Sequence, residues 1–193
     1  NRYLKIRPQI QDDHVFVTSA VSAGTEPAPV KGLYDPGSEQ GSARSRAVHR
    51  FVVYDVDFAT GKIRWQRDLR RVPPPIAKHI KNSFASETPV TDGERVYVRF
   101  GTIGLLEAFD FNGSTVWTRE LGAFNGPQLF GSASSPVLYR DRLYLVSDNT
   151  TQSFIAAYDK RTGTEAWRVG RQEVESWSTP LVGGASGENV ADQ

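Results

Sequence analysis

The sequence predicts an all-β fold built from repeated four-stranded units, and three observations lead to this prediction. Short stretches in which apolar and polar residues alternate recur along the 193 residues. Turn-forming pairs such as Asp92-Gly93 separate these stretches, as expected for antiparallel hairpins. A tryptophan follows a glycine by four residues at three places, and the tryptophans Trp65, Trp117 and Trp167 lie 52 and 50 residues apart. A repeat of this length indicates one supersecondary unit per copy.

The middle copy shows what such a unit contains. Residues 89–100, "PVTDGERVYVRF", predict a short strand, a tight turn and a second strand in which apolar residues alternate with Arg95, Tyr97 and Arg99. The next stretch, "LLEAFDFNGSTVWTREL", predicts a third strand, a turn at Asn112 and Gly113, and a fourth strand. Each unit is therefore expected to be a four-stranded antiparallel meander. Because such a sheet cannot bury both of its faces alone, the units should stack radially as blades of a β-propeller.

The repeat markers divide the chain into segments. A proline that precedes each unit and the tryptophan near its end predict three blades plus the first strand of a fourth, a segment of a ring of seven or eight blades. The segments are residues 1–72 for blade 1 with a long insertion at about 21–50, residues 73–85 for a proline-rich connector, residues 86–122 for blade 2, residues 123–172 for blade 3 with its leading connector, and residues 173–193 for the start of blade 4 and a truncated tail. An isolated segment of this kind would leave a sheet face and an edge uncovered, so we expect it to be marginally stable, sticky or oligomeric.

Composition excludes several functional classes. The absence of cysteine rules out disulfides, thiolate nucleophiles and cysteine-bound metal. The 23 basic and 22 acidic residues give no overall field that would attract nucleic acid. No apolar run is long enough to span a bilayer. The chain begins at Asn1 rather than at methionine, and we expect it to be an internal piece of a longer product.

The third copy carries a motif that resembles a known family. "AYDKRTGTEAW" matches the pattern A-x-D-x-x-T-G-x-x-x-W, the tryptophan-docking repeat of quinoprotein alcohol dehydrogenase-like propellers, also called the pyrroloquinoline quinone (PQQ) repeat family. The first copy has Asp55 in place of the leading alanine, and the second has a turn one residue shorter. The structural repeat residues are Asp57, Gly61 and Trp65 in the first copy, Asp110, Gly113 and Trp117 in the second, and Asp159, Gly163 and Trp167 in the third. In this position tryptophan is expected to pack against the neighbouring blade.

The resemblance implies two kinds of activity and does not choose between them. Family members include non-catalytic extracytoplasmic scaffolds and dehydrogenases that bind PQQ, usually with calcium. Because the vicinal cysteine pair often found in the dehydrogenases is absent, the leading hypothesis is a periplasmic scaffold without a cofactor, whose loops bind a protein or cell-envelope partner. A fragment of a PQQ-dependent dehydrogenase is the alternative, and a carbohydrate-binding propeller is a second alternative. No catalytic residue and no metal ligand is assigned, and residues for a cofactor are not identified.

Candidate contacts with a ligand or partner come from the segments between strands, where propellers vary. Arg44, Arg46, His49 and Arg50 in the insertion could form an anion-binding edge, or could be solvated charges. The connector is expected to turn into a short helix at Ile76–Ile80 and to bring Lys78, His79 and Lys81 to a channel-lining strand at Ser86, unless it only exposes these bases. The remaining candidates are Arg99, Asp148, Asn149 and Trp177, each of which could instead be a turn, surface or packing residue.

Overall fold

The structure is a computed structural model that describes residues 9–24, 42–43, 45–79 and 81–183. Its strands are β1 (Gln9–Gln11), β2 (His14–Ser22), β3 (Ser42–Ala43), β4 (His49–Asp57), β5 (Ile63–Val72), β6 (Lys78–His79), β7 (Val90–Thr91), β8 (Arg95–Phe100), β9 (Leu105–Asp110), β10 (Thr115–Glu120), β11 (Val137–Tyr139), β12 (Arg142–Ser147), β13 (Phe154–Asp159) and β14 (Glu165–Gly170). One 3₁₀ turn, Gly101–Ile103, separates β8 from β9. The predicted all-β class is confirmed.

The strands form three antiparallel sheets of four strands each, consistent with propeller blades. The orders are β1-β2-β4-β5, β7-β8-β9-β10 and β11-β12-β13-β14, so each sheet is a meander. A separate pair joins β3 to β6. Local chemistry explains the tight turns: at the β7–β8 hairpin, the carboxylate of Asp92 accepts hydrogen bonds from the backbone amides of Glu94 and Arg95 at 3.1 and 2.8 Å.

Strands β8 and β9 of the second sheet are buried on both faces, because this sheet lies between the other two. Along β8, Val96, Val98 and Phe100 belong to a core shared with the first sheet, which contributes Phe16 and Phe51. Tyr97, the residue between two of these, belongs to a second core shared with β12 and β13 of the third sheet. The period-two alternation of a strand therefore sends neighbouring residues into two different cores.

One tryptophan contact joins each pair of adjacent sheets. The Trp65 indole N–H donates to the carbonyl of Phe111 at 2.9 Å, and the Trp117 indole N–H donates to the carbonyl of Lys160 at 2.9 Å. In both cases the ring covers the glycine of the receiving turn, where a Cβ at Gly113 or Gly163 would come within 2.7 or 2.6 Å of the indole. These turns therefore need glycine for close approach.

An arginine two residues after the tryptophan strengthens each of these contacts. Arg67 Nε donates to the carbonyl of Gly113 at 2.6 Å, and Arg119 Nε donates to the carbonyl of Gly163 at 2.7 Å. Both bonds are charge-assisted and therefore stronger than a neutral pair. The third copy has Val169 at this position.

Two further side-chain pairs lie in the sheets away from the tryptophans. Asp55, the departure from the repeat, is fully buried, and its Oδ2 lies 2.7 Å from Nδ1 of His14 on β2. Asp92 of the second sheet pairs with the Lys160 ammonium of the third at 2.9 Å and accepts a hydrogen bond from the Tyr97 hydroxyl at 2.9 Å. The second pair is thus an ion pair between sheets.

The long insertion predicted at about 21–50 does not lengthen the first hairpin of its blade. That hairpin is the two-residue turn between β1 and β2, and Ser22 pairs with His49 across the base of the insertion. The insertion therefore joins the second and third strands. Two residues of its predicted anion-binding edge do not face solvent as free charges, because His49 is buried and Arg50 pairs with Asp68 at 2.9 Å. Arg44 lies outside the described residues.

The connector also differs from the sequence prediction. Lys78 and His79 form β6 and pair with the insertion, so no helical turn forms at the described positions of 76–80. The inner strand of the second sheet begins at Val90 rather than at Ser86, because the hydroxyl of Ser86 bonds within a compact turn with Asn82 and Ser83. Residues 171–183 form no strand where the sequence predicts the start of a fourth blade, since no described strand is available to pair with them.

The meander topology sorts the connections to two ends of the sheets. One end, called the turn end, carries short links at residues 12–13, 58–62, 92–94, 111–114, 140–141 and 160–164. The opposite end, called the loop end, carries the links between second and third strands and the crossings between sheets, at the described residues of 23–48 and 73–89 and at residues 101–104, 121–136, 148–153 and 171–183. Most of the irregular chain that the structure describes is therefore at one end.

Candidate functional site

All seven candidate contact residues lie at the loop end or on the last residues of strands that reach it. Three of them, Arg99, Asp148 and Trp177, line one small cavity between the second and third sheets. The space open to the centres of water molecules in it is about 20 Å³, which is room for one or two waters. Serines and glycines form much of the rest of its wall. The cavity is therefore small and polar.

Arg99 is the buried cation of this cavity. The residue is 5% exposed, and its Nη1 donates to the carbonyls of Ser134 and Val146 at 2.9 and 2.7 Å. Its Nε finds no hydrogen-bond partner among the described residues. Burial lowers the pKa of Arg99, and the negative charges of Glu87 and Asp148 act against that shift. Within the described residues no carboxylate forms a direct ion pair with this guanidinium, so its charge is compensated only at longer range.

Asp148 faces the cavity but already has a partner. Its carboxylate is fully buried and receives the fork of Arg171, with distances of 2.7 and 3.3 Å from Nε and Nη2. The Asp148 carboxylate accordingly raises the pKa of Arg171. This bidentate pair fixes both side chains in place.

Glu175 closes the cavity from the segment that follows the third sheet. A Cβ built on Gly126 would lie 2.1 Å from Glu175 Oε1, so the carboxylate lies where a side chain at position 126 would be. Oε1 has no hydrogen-bond partner in the part of the chain that the structure describes, and burial raises the pKa of Glu175. Gly101 likewise leaves room for neighbouring side chains, because a Cβ at this position would lie 2.1 Å from Ser132 Oγ and 2.6 Å from Glu87 Oε1.

Buried polar atoms without a partner concentrate around this cavity. The described residues contain five such side-chain atoms, and those of Arg99, Ser134 and Glu175 belong to residues of the cavity wall. A fourth is Glu87 Oε2, and the other oxygen of that carboxylate accepts a hydrogen bond from the Gly101 amide at 2.9 Å. Native proteins leave few buried polar groups unpaired, so this concentration needs a physical explanation.

An aromatic row forms the rim of the cavity. Trp177, 41% exposed, stacks on Phe130 with a centroid distance of 5.9 Å and donates its indole N–H to the carbonyl of Gly131 at 3.0 Å. Phe130 meets the ring of His79 edge-on at 4.7 Å. Leu129, just before Phe130, has a φ of +58°, a conformation uncommon for a leucine. The rim thus combines exposed aromatic surface with a strained turn.

The other candidates do not join the cavity. The Asn149 side chain bonds within its own loop, accepting from the amides of Thr151 and Gln152 at 2.9 and 2.7 Å. Lys78 lies 5.4 Å from the ring of Phe84, and the Lys81 amide donates to His79 Nδ1 at 3.1 Å. These residues shape the connector and its neighbouring loops.

Sequence reasoning missed Ser134 and Glu175, although a signal was present for the first. Serine or threonine stands directly before the leading proline of the second, third and fourth copies, as Thr88, Ser135 and Thr179. The amide of Thr88 donates to Ser135 Oγ at 2.9 Å, and the amide of Ser135 donates to Thr179 Oγ1 at 3.2 Å. The segments before these prolines therefore run side by side, which brings Ser134 beside the end of β8. Nothing in the repeat identifies Glu175.

The Arg99 cavity, as the described residues form it, is too small for PQQ. A cavity with room for one or two waters cannot take a tricyclic quinone. No group of three or more His, Cys, Asp or Glu side chains in the described parts of the chain is arranged to hold a metal ion. No helix within the same residues is long and apolar enough to cross a bilayer.

Comparisons with known proteins place the chain among PQQ-repeat propellers. The family described as "Outer membrane protein assembly factor BamB" matches residues 49–192. A comparison with curated proteins gave no match. Among solved structures, a europium-containing methanol dehydrogenase is 17% identical, with 79% of this chain and 26% of that chain covered and a TM-score of 0.47. The chain thus spans about a quarter of the length of that enzyme.

Two further solved structures are similar to this chain. BamB from Moraxella catarrhalis is 15% identical, with 85% of this chain and 72% of that chain covered and a TM-score of 0.26. The computationally designed Ika8 protein is 12% identical, with 91% of this chain and 52% of that chain covered and a TM-score of 0.50. At these identities the likeness concerns the fold alone.

Proposed function

Because this chain belongs to the PQQ-repeat propeller family described as outer membrane protein assembly factor BamB, we propose that it is a non-catalytic, extracytoplasmic scaffold. In this proposal the loop end binds a protein partner in the cell envelope, and no cofactor takes part. The sheets serve as a rigid support that holds the loops in a constant arrangement.

The observation that carries this proposal is the unequal distribution of irregular chain. The turn end has links of two to five residues, whereas the loop end has the insertion, the crossings between sheets and all seven candidate residues. Loops on a rigid scaffold are the usual place for binding residues. The Trp177–Phe130–His79 row adds exposed aromatic surface there, and aromatic residues are enriched in protein interfaces.

A fragment of a PQQ-dependent dehydrogenase stays the alternative. In that case PQQ with calcium would have to bind to residues other than those around the Arg99 cavity, which does not fit the quinone. A dehydrogenase fragment is expected to bind PQQ with calcium, whereas a scaffold is expected to crosslink to a protein partner.

Site-specific photo-crosslinking in the producing cell tests the proposal. A photoreactive amino acid replaces Gln128, exposed at the loop end, or Arg161, exposed at the turn end, as the matched control. We expect a discrete crosslinked product from position 128 and none from position 161. A product from position 161 alone would contradict the proposal. Saturable binding of PQQ with calcium, together with dye reduction on addition of an alcohol or sugar, would establish the dehydrogenase instead.

A further inference from the structure

We propose that Asn112, in the turn between β9 and β10, is a site of spontaneous covalent modification in the folded chain. Its side-chain amide is lost as ammonia, and the aspartate or isoaspartate that replaces it lies at the contact between the first and second sheets. The co-reactant is water. The inference concerns the chemistry of this chain and does not depend on the proposed function.

The reaction begins between two neighbouring residues. The backbone nitrogen of Gly113 gives up its proton and attacks the side-chain Cγ of Asn112, so a new C–N bond forms, the bond to the amide nitrogen breaks and ammonia leaves. Water then opens the resulting succinimide ring at either of its two carbonyl carbons. One opening gives aspartate, and the other gives isoaspartate, in which the backbone runs through the former side chain. Because Gly113 has no Cβ, nothing on this residue hinders the attack.

The chain has two asparagines directly before a glycine, Asn112 and Asn125, and their surroundings differ. Asn112 is exposed, and its hydrogen bonds to described residues involve only its backbone, so its side chain can turn towards the next nitrogen. The Asn125 carbonyl accepts from both the amide and the hydroxyl of Thr150 at 3.0 Å, and its side-chain oxygen lies 3.4 Å from the Ala77 amide. Gly126 is also buried. Asn125 is therefore held, whereas the side chain of Asn112 is not.

A cation lies beside the peptide unit that must lose its proton. Arg67 Nη2 donates to the carbonyl of Asn112 at 3.4 Å, and this carbonyl belongs to the same peptide unit as the Gly113 nitrogen. A deprotonated amide carries its negative charge largely on that oxygen, and a nearby positive charge favours the charged form. The Gly113 N–H donates to the carbonyl of Asp110 at 3.0 Å, so the reaction proceeds when this turn opens locally.

The product changes the contact beneath Trp65. A Cβ at Gly113 would lie 2.7 Å from the indole, so this turn has no room for additional atoms under the ring. Isoaspartate adds one carbon to the backbone directly before Gly113, which displaces the glycine relative to the indole. In the contact between the second and third sheets, the residue before Gly163 is Thr162, which has no amide to lose. Of the two contacts, the one beneath Trp65 is thus the one that loosens with age.

Incubation of the 193-residue chain in water enriched in oxygen-18 tests the proposal, because ring opening places one heavy oxygen in the product. Trypsin separates the two sites, with residue 112 in the peptide 100–119 and residue 125 in the peptide 120–140. In the folded chain at pH 8 and 37 °C, residue 112 should be labelled at least about tenfold faster than residue 125, as expected if two hydrogen bonds restrain Asn125. In guanidinium chloride the two residues should be labelled at similar rates, because glycine follows both.

Two substitutions separate the effect of this site from general ageing of the protein. Asn112→Thr introduces the residue that precedes glycine in the third copy, and it should abolish labelling of the peptide 100–119. Asn125→Thr is the matched control and should leave that labelling unchanged. After incubation, the wild-type chain and Asn125→Thr should each unfold at a lower urea concentration than before, whereas Asn112→Thr should keep its midpoint.

Three results would contradict the proposal. Equal or faster labelling of residue 125 in the folded chain would overturn it, as would the absence of label at residue 112 under conditions that label the unfolded chain. An unchanged urea midpoint of the labelled wild-type chain would show that the modification does not loosen the contact beneath Trp65. None of these results bears on the scaffold function, which the crosslinking experiment tests separately.

Discussion

Substitution of Gly61 or Gly163 by alanine provides a matched test of how the sheets are joined. The two glycines end turns of identical length, and their φ angles are +67° and +68°. In both turns an aspartate, Asp57 or Asp159, accepts hydrogen bonds from the amide and hydroxyl of the threonine before the glycine. Alanine at either position therefore has the same backbone cost, about 1 kcal/mol. The difference between the two substitutions then reports the contact with tryptophan.

Only Gly163 lies under a tryptophan. A Cβ there would lie 2.6 Å from Trp117 Cδ2, whereas no atom lies within 4 Å of a Cβ at Gly61. Overpacking of a tight contact costs roughly 1–3 kcal/mol, and displacement of the ring also strains its 2.9 Å hydrogen bond to Lys160, which is worth about 1 kcal/mol. We therefore expect a loss of about 1 kcal/mol for Gly61→Ala and of roughly 3–5 kcal/mol for Gly163→Ala.

Urea unfolding of the 193-residue chain, followed by tryptophan fluorescence, gives both values from the transition midpoints at constant slope. Equal losses for the two variants would refute the reasoning, because they would mean either that the Trp117 contact does not stabilise the pair of sheets or that Gly61 is covered as well.

Three further predictions concern single side chains. Asp55→Ala restores the alanine of the repeat but leaves a mostly buried histidine without its partner, so it should cost about 3 kcal/mol; equal or higher stability in urea would contradict this. For Asp92, burial acts to raise the pKa, but the ammonium of Lys160, nearby amides and a tyrosine hydroxyl outweigh it and hold the pKa below 3.8. Its stabilising contribution is thus present above pH 4 and is lost as the pH falls through the lowered pKa, so Asp92→Asn should destabilise by about 1–3 kcal/mol at pH 7 and by progressively less as the pH falls below 4; a difference that does not shrink on acidification would argue against the ion pair. Trp117→Ala should cost roughly 3–5 kcal/mol, whereas Trp167→Ala, at the same motif position but 43% exposed, should cost less than about 1 kcal/mol, and calorimetry distinguishes the two.

The repeat allowed much of the fold to be predicted because its residues act locally. Gly113 and Trp117 occupy fixed offsets in one hairpin, so their spacing alone indicates the turn and the strand that follow. The arginine of each contact was equally visible as Trp-x-Arg in two copies, but its role depends on a carbonyl in the next sheet. The spacing in the sequence reveals the tryptophan and arginine of the motif. The turn of the neighbouring sheet that they contact is known only from the fold.

The departures from prediction arise where partners are distant in sequence. The connector was expected to form a helical turn at Ile76–Ile80, but Lys78 pairs with Ala43 of the insertion, 35 residues earlier. In the sequence, Asp55 only departs from the alanine of the motif, whereas in the structure it pairs with His14, 41 residues away. At the candidate site, Arg99 and Trp177 were identified as polar or aromatic residues outside the repeat. Glu175 was not, because its burial depends on a close approach to Gly126 that no local pattern shows.

The tryptophan contact has a direction, and this direction has an evolutionary consequence. In both contacts the indole belongs to the last strand of one sheet and the glycine turn belongs to the next sheet. Each sheet can therefore offer a glycine turn on one side and a tryptophan on the other. Within the described residues, the turn at Gly61 is not covered by a tryptophan, and Trp167 does not cover a glycine turn. Duplication of one sheet and its connector would thus insert a unit that fits both neighbours at once. Such a chain can lengthen by whole units without compensating mutations at the joints.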